Sequence, residues 1–204
     1  MSLRYALLAL LTAGPSTGYD AAKRFGGSVG NVWHAPDSQI YPELRKMEAD
    51  GLVSGQQVRW GPRSTKRLYT ITDEGNSFFR EWVNSTVDHT PVRDAHHMQA
   101  AYFEWAEPNI ARAILLRHIA HHAEQVELFE VARDGIQTKT DPAIVRRLAG
   151  YPETDHARII AYKVHSCEGM IARSRSEIDW AIKGLRLIDL YRVRDADLPG
   201  GQRP

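Results

Sequence analysis

The spacing of apolar residues in the first third of the chain predicts three short helices. Residues 3–13 are rich in leucine and alanine and stop at Gly14-Pro15, where proline cannot continue a helix. A second helix is predicted from Tyr19 to Phe25. A third helix is predicted to end near Asp50, and its apolar residues recur every three or four positions. They are Ile40, Leu44 and Met47.

Three residue types set the expected ends of the third helix. Asp37 or Ser38 is predicted to be the N-cap, because a short polar side chain can accept a hydrogen bond from a free amide of the first turn. Pro42 is expected in that first turn, where a missing N–H costs no intrahelical bond. Gly51 is expected to end the helix in the left-handed conformation.

A β-hairpin and a fourth helix follow. Leu52–Trp60 and Arg67–Ile71 have the β-branched and aromatic content of strands, and residues 61–64 join them as a turn with a basic tip. Thr72 is the predicted N-cap of the next helix, whose first turn is acidic. Helix, helix, helix, strand, strand, helix is the order of a winged helix-turn-helix.

The rest of the chain is predicted to be helical. A helix starts at Pro108 and ends near Gly135, and a longer one carries apolar positions alternately four and three residues apart. The members of this seam are Ile160, Val164, Cys167, Ile171, Ser174, Ile178, Ala181, Leu185 and Ile188. A helix of about 35 residues is ~52 Å long, so we expect it to pack on a second copy of the chain. The predicted dimer contacts are Ile160, Val164, Ile171, Ile178 and Leu185.

These elements give a fold that is mainly α with a small β-hairpin. We expect an N-terminal winged helix-turn-helix domain at residues 1–87, a C-terminal α-helical dimerisation and effector domain at 95–194, and a flexible tail at 195–204. The single cysteine excludes an internal disulfide and fits a reducing cytoplasm. No apolar run approaches the roughly 20 residues that span a bilayer. A cytoplasmic protein without a membrane partner is therefore expected.

Charge and polar side chains indicate a nucleic-acid partner for the N-terminal half. Residues 1–80 have a net charge of +3 and residues 81–204 of −2. The third helix begins with side chains that can pair with base edges, and a basic hairpin follows it, as contact with phosphates requires. The predicted contacts to double-stranded DNA are Tyr19, Lys23, Arg24, Ser38, Gln39, Tyr41, Arg45, Arg59, Arg63, Ser64, Lys66 and Arg67.

Four stretches within the first 85 residues resemble the PadR family of bacterial transcription regulators. They run from Leu7 to Asp20, from Ile40 to Glu48, from Gly51 to Val53 and from Tyr69 to Gly75. The resemblance implies a dimeric repressor with an N-terminal winged helix and a C-terminal helical dimerisation domain. A dimer matches a two-fold symmetric operator, which is therefore the expected DNA partner. The long C-terminal half looks like the branch of the family that includes sensors of phenolic acids.

A small aromatic effector is expected to bind between the winged helix and the C-terminal helices. Aromatic residues concentrate there, and arginine and histidine near them in sequence can meet a carboxylate; the alternative is that the aromatic residues are simply core. The predicted contacts are Phe79, Trp82, Tyr102, Phe103, Trp105, Arg117, His121 and His122. Such a ligand would release the protein from DNA by favouring one dimer geometry over another.

Metal binding, catalysis and protein interaction are the other functions to consider for this sequence. His118 and His122, four residues apart, can share a metal ion, with His96, His97 and His121 as further candidates. Solvated or hydrogen-bonded histidines are the commoner case, so neither a metal nor a cofactor is predicted. The sequence has no catalytic motif of the hydrolase, metalloprotease or phosphate-loop type, so we expect no enzyme. A metal-responsive or ligand-independent winged-helix regulator and a helical protein-interaction module remain the alternatives.

Overall fold

The computed structural model describes residues 3–25, 36–60, 64–88 and 93–196, and helices dominate this part of the chain. A 3₁₀ turn, Phe103–Trp105, precedes the first long helix. The predicted class, mainly helical with a small hairpin, is confirmed. The elements are α1 (Leu3–Leu11), β1 (Ser16–Thr17), α2 (Gly18–Phe25), α3 (Asp37–Ala49), β2 (Val53–Trp60), β3 (Ser64–Ile71), α4 (Asp73–Val83), α5 (Ala95–Ala100), α6 (Pro108–Gln137), α7 (Pro142–Leu148) and α8 (Glu153–Ala196).

The sheet has three antiparallel strands in the order β1-β3-β2. Strands β2 and β3 form the predicted hairpin, in which Val53 pairs with Ile71 and Trp60 with Ser64. Strand β3 begins three residues earlier than predicted, at Ser64. The sequence did not predict β1, because two residues are too few to show the alternation of a strand.

The first of two compact units consists of Met1–His89 and Ala132–His165. Its core is formed where α1, α2, α3 and the sheet converge. Four of the side chains at its centre are completely enclosed, and each such burial contributes about 1.5–3 kcal/mol. They are Leu7, Leu8, Ile40 and Met47. The predicted inner face of α3 is confirmed.

Two helix ends are as predicted and one is not. Gly51 has a φ of 76°, the left-handed conformation expected after α3. The hydroxyl of Thr72 accepts a hydrogen bond from the Gly75 amide at 3.0 Å and caps α4. The predicted cap of α3 is wrong: Pro36 is the N-cap and makes no side-chain bond. Since its carbonyl already accepts from the Gln39 amide at 2.9 Å, the helix starts early and Pro42 falls in the second turn.

The second unit consists of Thr90–Val131 and Ser166–Pro204 and contains most of α6 and α8. The two helices run antiparallel, as shown by ion pairs of Arg112 with Asp189 and of Arg175 with Glu130. Helix α8 has 44 residues, more than predicted, and is ~66 Å long at 1.5 Å per residue. None of the described helices is long and apolar enough to cross a membrane.

The chain leaves the first unit after His89, within the gap between the predicted domains 1–87 and 95–194, but it returns to that unit for Ala132–His165, which the prediction did not include. Helices α6 and α8 each contribute to both units, and α7 belongs to the first unit. There the Arg147 guanidinium donates a hydrogen bond of 2.7 Å to the Thr12 hydroxyl at the end of α1. Helix α8 also continues to Ala196, into the predicted tail, while residues 197–204 lie outside the described part of the chain.

The seam of α8 corrects our expectation about its partner. Ile171 is 4% exposed in the single chain, and Val164 is also buried. Leu115 of α6 lies against Gly184 so closely that a Cβ atom there would be 2.8 Å from its Cδ1. The seam therefore does not need a second copy to cover it, although Ile160, Ile178 and Leu185 remain half-buried.

Candidate nucleic-acid interface and histidine pocket

Helix α3 buries one face in the core and presents the opposite one to solvent. Ser38, Gln39 and Arg45 are all exposed on it. The ring of Tyr41, which is also exposed, packs over Gly18 at the start of α2. Hydrogen-bonding side chains therefore occupy the beginning of the helix, where a reader of base edges needs them.

The hairpin carries a cation held between two aromatic rings. The ammonium nitrogen of Lys66 lies 3.6 Å from the centre of the Trp60 ring and 4.4 Å from that of Tyr19. Both rings are exposed, and Lys66 is half-buried between them, so cation–π contacts restrict the position of the ammonium group. We call Tyr19, Ser38, Gln39, Tyr41, Arg45, Trp60 and Lys66 together the α3–wing surface.

Arg67 has a structural partner instead of a free guanidinium. Its Nε atom donates to Glu48 Oε2 at 2.9 Å, and its Nη2 atom contacts the other oxygen. The Gly55 amide donates to the same carboxylate at 3.1 Å. This hydrogen bonding by Arg67 holds the pKa of Glu48 below its ordinary value. Arg67 therefore joins α3 to the wing, and its guanidinium, which is still exposed, stays a predicted phosphate contact.

The other residues predicted to contact DNA lie around this surface with varying exposure. Lys23, Arg59 and Ser64 are exposed, and Arg24 is half-buried. The Ser64 hydroxyl donates to the Trp60 carbonyl and helps to close the hairpin. Arg63 lies outside the described residues. Trp60 was not predicted, although an aromatic residue at the end of a strand next to a basic turn is a signal that sequence reasoning can use.

An open pocket of about 430 Å³ lies within the second unit. Its described walls come from the start of α5 and from α6 and α8, and they are almost entirely polar or charged. The lining residues are Asp94, His96, Ile114, Arg117, His118, His121, His122, Arg173 and Glu177. Three of the predicted effector contacts, Arg117, His121 and His122, are therefore brought together here.

Imidazole rings meet one carboxylate at this pocket. His118 Nε2 lies 3.1 Å from Glu177 Oε2, and His97 Nε2 lies 3.7 Å from the same oxygen. Trp180 stacks on the His97 ring at 4.0 Å between centres. The sequence pointed to His118 and His122, but it gave no reason to include Glu177 or Trp180, which lie more than 50 residues further along the chain.

Two groups of the pocket have shifted pKa values. Burial, followed by the neighbouring charges of His118 and His121, lowers the pKa of His122. The backbone amide of His97 is the main cause of a lowered pKa at Asp94, whose carboxylate caps α5. His122 is therefore held neutral and Asp94 ionised at neutral pH.

Comparison with known proteins places the chain in a family. Residues 7–81 match the model of the transcriptional regulator PadR-like family. Over 104 residues the chain is 36% identical to the negative transcriptional regulator PadR of Bacillus subtilis (strain 168), which covers 50% of this chain and 56% of that protein. Over 193 residues it is 30% identical to the probable transcriptional regulator Rv1176c of Mycobacterium tuberculosis, which covers 88% of this chain and 94% of that relative. The chain belongs to the PadR-like family of transcriptional regulators.

Solved structures agree with the fold of this PadR-like chain. Bacillus subtilis PadR in complex with operator DNA superposes with a TM-score of 0.72 at 21% identity, covering 91% of this chain and 97% of that one. The same protein in complex with p-coumaric acid gives a TM-score of 0.63 at 22% identity, covering 92% and 95%. At these identities the likeness shows the shared winged-helix fold with its helical C-terminal part.

The aromatic residues predicted to bind an effector are divided between the two units of the PadR-like chain. Phe79 and Trp82 belong to the first unit, where the Trp82 ring stacks on Tyr5 at 4.8 Å. Tyr102 and Trp105 are exposed in the second unit, Trp105 at 87%, and Phe103 is half-buried. None of the five lines the described pocket.

Proposed function

We propose that this chain is a DNA-binding transcriptional regulator that inserts α3 into the major groove and sets its wing on the flanking backbone. The α3–wing surface carries the proposal. The amide of Gln39 suits a bidentate pair with adenine, and Ser38 and Arg45 share its exposed face. The ammonium group of Lys66, held between Tyr19 of α2 and Trp60 of β2, suits a phosphate.

The test is a titration of the full chain with duplexes from the region upstream of its own gene, read by fluorescence anisotropy at several salt concentrations. Affinity should fall steeply with salt because phosphate contacts release counterions. Lys66→Gln should flatten the salt slope by about one unit, whereas Gln39→Ala should cost about 1–3 kcal/mol at one base position. Lys183→Gln, an exposed lysine on α8, is the matched control.

Two outcomes oppose DNA binding. If the chain does not bind these duplexes in dilute buffer, the DNA-binding proposal fails, and a protein-interaction module is the better description. Full affinity in both Lys66→Gln and Gln39→Ala would show that the α3–wing surface does not carry recognition.

We propose further that the regulator works as a homodimer on a two-fold symmetric operator. The support is apolar area outside the covered seam: Leu187 and Leu190 on α8 are 53% and 55% exposed. A closed dimer would cover such side chains and set two copies of α3 at half-sites about 34 Å apart or a multiple of it. In ultracentrifugation, Leu187→Glu with Leu190→Glu should give monomers and weaken operator binding. A monomeric wild-type chain, or a variant that stays dimeric, would refute this.

The proposal also covers the direction of regulation and the ligand that controls it. We propose repression that ends when a small aromatic acid, such as a phenolic acid, binds the pocket of the second unit. Arg117 and His121 line that pocket and can meet a carboxylate. Calorimetry with hydroxybenzoates and hydroxycinnamates should show binding that Arg117→Gln weakens, and the bound acids should lower operator affinity. Absence of heat together with unchanged operator affinity would rule out this effector class.

A further inference from the structure

Three side chains of the second unit surround one point at the pocket. His118 and His122 lie on adjacent turns of α6, and Glu177 lies on α8. One ligand atom from each is within 4.8 Å of the other two. Donor atoms bound tetrahedrally to one Zn²⁺ ion at about 2.0–2.2 Å are about 3.4 Å apart. His118 Nε2 and Glu177 Oε2, at 3.1 Å, are close to that spacing, and the ligand atom of His122 lies within 4.8 Å of both.

His97 supplies a fourth nitrogen from a different helix. Its Nε2 atom lies 3.7 Å from Glu177 Oε2. On the other side of the ring, Nδ1 lies 3.0 Å from Asp94 Oδ2. The two atoms are close but not aligned as a hydrogen bond, so Nδ1 is a buried nitrogen without a hydrogen-bond partner among the described residues. The stacked Trp180 ring restricts the remaining rotation of His97.

We propose that this pocket binds a divalent transition-metal ion of the Zn²⁺ class through His118, His122 and Glu177, with His97 as the fourth ligand. Imidazole nitrogen with one carboxylate oxygen is a donor set for Zn²⁺, Co²⁺ or Ni²⁺. Mg²⁺ and Ca²⁺ prefer oxygen ligands alone and are not expected to compete.

The surroundings favour an ion at this point over an ordinary hydrogen-bonded cluster. The ring centres of His118 and His122 are only 4.4 Å apart, and His96 is 5.1 Å from His118. His122 Nδ1 is buried without a hydrogen-bond partner among the described residues. A cation gives converging lone pairs a common partner.

The site would join three helices of the second unit. His97 comes from α5, His118 and His122 from α6, and Glu177 from α8. An ion that binds the folded chain and not the unfolded one stabilises the fold by mass action. This inference goes beyond the proposed regulation of DNA binding, since it predicts an inorganic ligand that ties α5, α6 and α8 together.

The experiment uses the full chain, stripped of metal with a chelator and titrated with Zn²⁺ by calorimetry. We expect one ion bound per chain and a higher melting temperature. Co²⁺ in its place should show the visible absorption of a four-coordinate site. His122→Ala and Glu177→Gln should each weaken Zn²⁺ binding by about 10- to 100-fold or more. His165→Ala, an exposed histidine on α8, is the matched control and should change nothing.

The proposal is overturned if Zn²⁺ does not bind saturably, or if it binds His122→Ala and Glu177→Gln as tightly as the unmodified chain. Circular dichroism of both variants identifies one that has lost its helices, in which case the other decides the outcome. No duplex is present in this experiment, so its failure leaves the DNA-binding proposal intact. Failure of that proposal would likewise leave the metal site standing.

Discussion

The two compact units bury their apolar residues in different ways. In the first, short helices and a small sheet converge from several directions, and residues such as Leu7 and Ile40 are fully enclosed. In the second, long helices pack along one stripe each and leave large apolar side chains such as Leu116 and Leu187 in solvent. The core of the first unit is therefore enclosed by side chains of the same chain. The second unit leaves apolar surface exposed in the single chain, which is the surface that the proposed dimer would cover.

The largest effect should come from a charge placed in the seam. Ile171→Asp buries a carboxylate without a partner and should lower the free energy of unfolding by on the order of 4 kcal/mol. Denaturant unfolding measures it, with Ala172→Asp at the exposed neighbouring position as the control. If Ile171→Asp left the free energy of unfolding unchanged and only separated two copies of the chain, the seam of α8 would be an intermolecular contact. The conclusion that a single chain covers the seam would then be wrong.

A cavity in the winged helix should come next. Leu44→Ala removes a side chain from a fully packed position of α3 and should cost about 2–5 kcal/mol. The same denaturant titration measures this. A cost below about 1 kcal/mol would mean that the first unit can collapse around the void. Its core would then be less tightly packed than its fully enclosed side chains indicate.

The cap of α4 should contribute less. Thr72→Ala removes the hydroxyl that accepts from the Gly75 amide, and we expect a loss of about 1 kcal/mol in the free energy of unfolding. Thr72→Ser keeps an acceptor in place and should recover most of that loss. Equal stability of the alanine and serine variants would show that the hydroxyl adds nothing.

The smallest effect should be a pH dependence at the joint between α3 and the wing. Because Arg67 lowers the pKa of Glu48 in the folded chain, the pair stabilises the fold above the ordinary glutamate value of 4.5. That contribution is lost as the pH falls through the lowered pKa. Glu48→Gln should therefore be less stable than the unmodified chain at neutral pH and closer to it in acid. A stability difference that does not change with pH would exclude this linkage.

Local signals explain why much of the first unit was predictable from sequence. Gly51 and Thr72 mark helix ends by their own chemistry, and Ile40 and Leu44 mark the buried face of α3 by their spacing. The early start of α3 was missed because its first turn is closed by the Pro36 carbonyl, a backbone group that no side chain announces.

The second unit was harder to predict from the sequence because its important contacts join residues that are far apart along the chain. The period of α8 identified Ile171 as buried, but a period does not say whether α6 or a second copy covers it. Glu177 was missed for the same reason: only the antiparallel pairing of α6 and α8 brings its carboxylate to His118. The contact between Lys66 and Trp60 likewise depends on the strand register.

Sharing α6 and α8 between both units has a practical consequence for dissecting the molecule. A fragment that ends near residue 88 keeps every element of the winged helix and loses α7, whose Arg147 binds Thr12. Cutting there would expose the side of α1 that α7 engages, so the fragment should be prone to aggregation. Transferring the winged helix to another protein would therefore require that residues 132–165 be included.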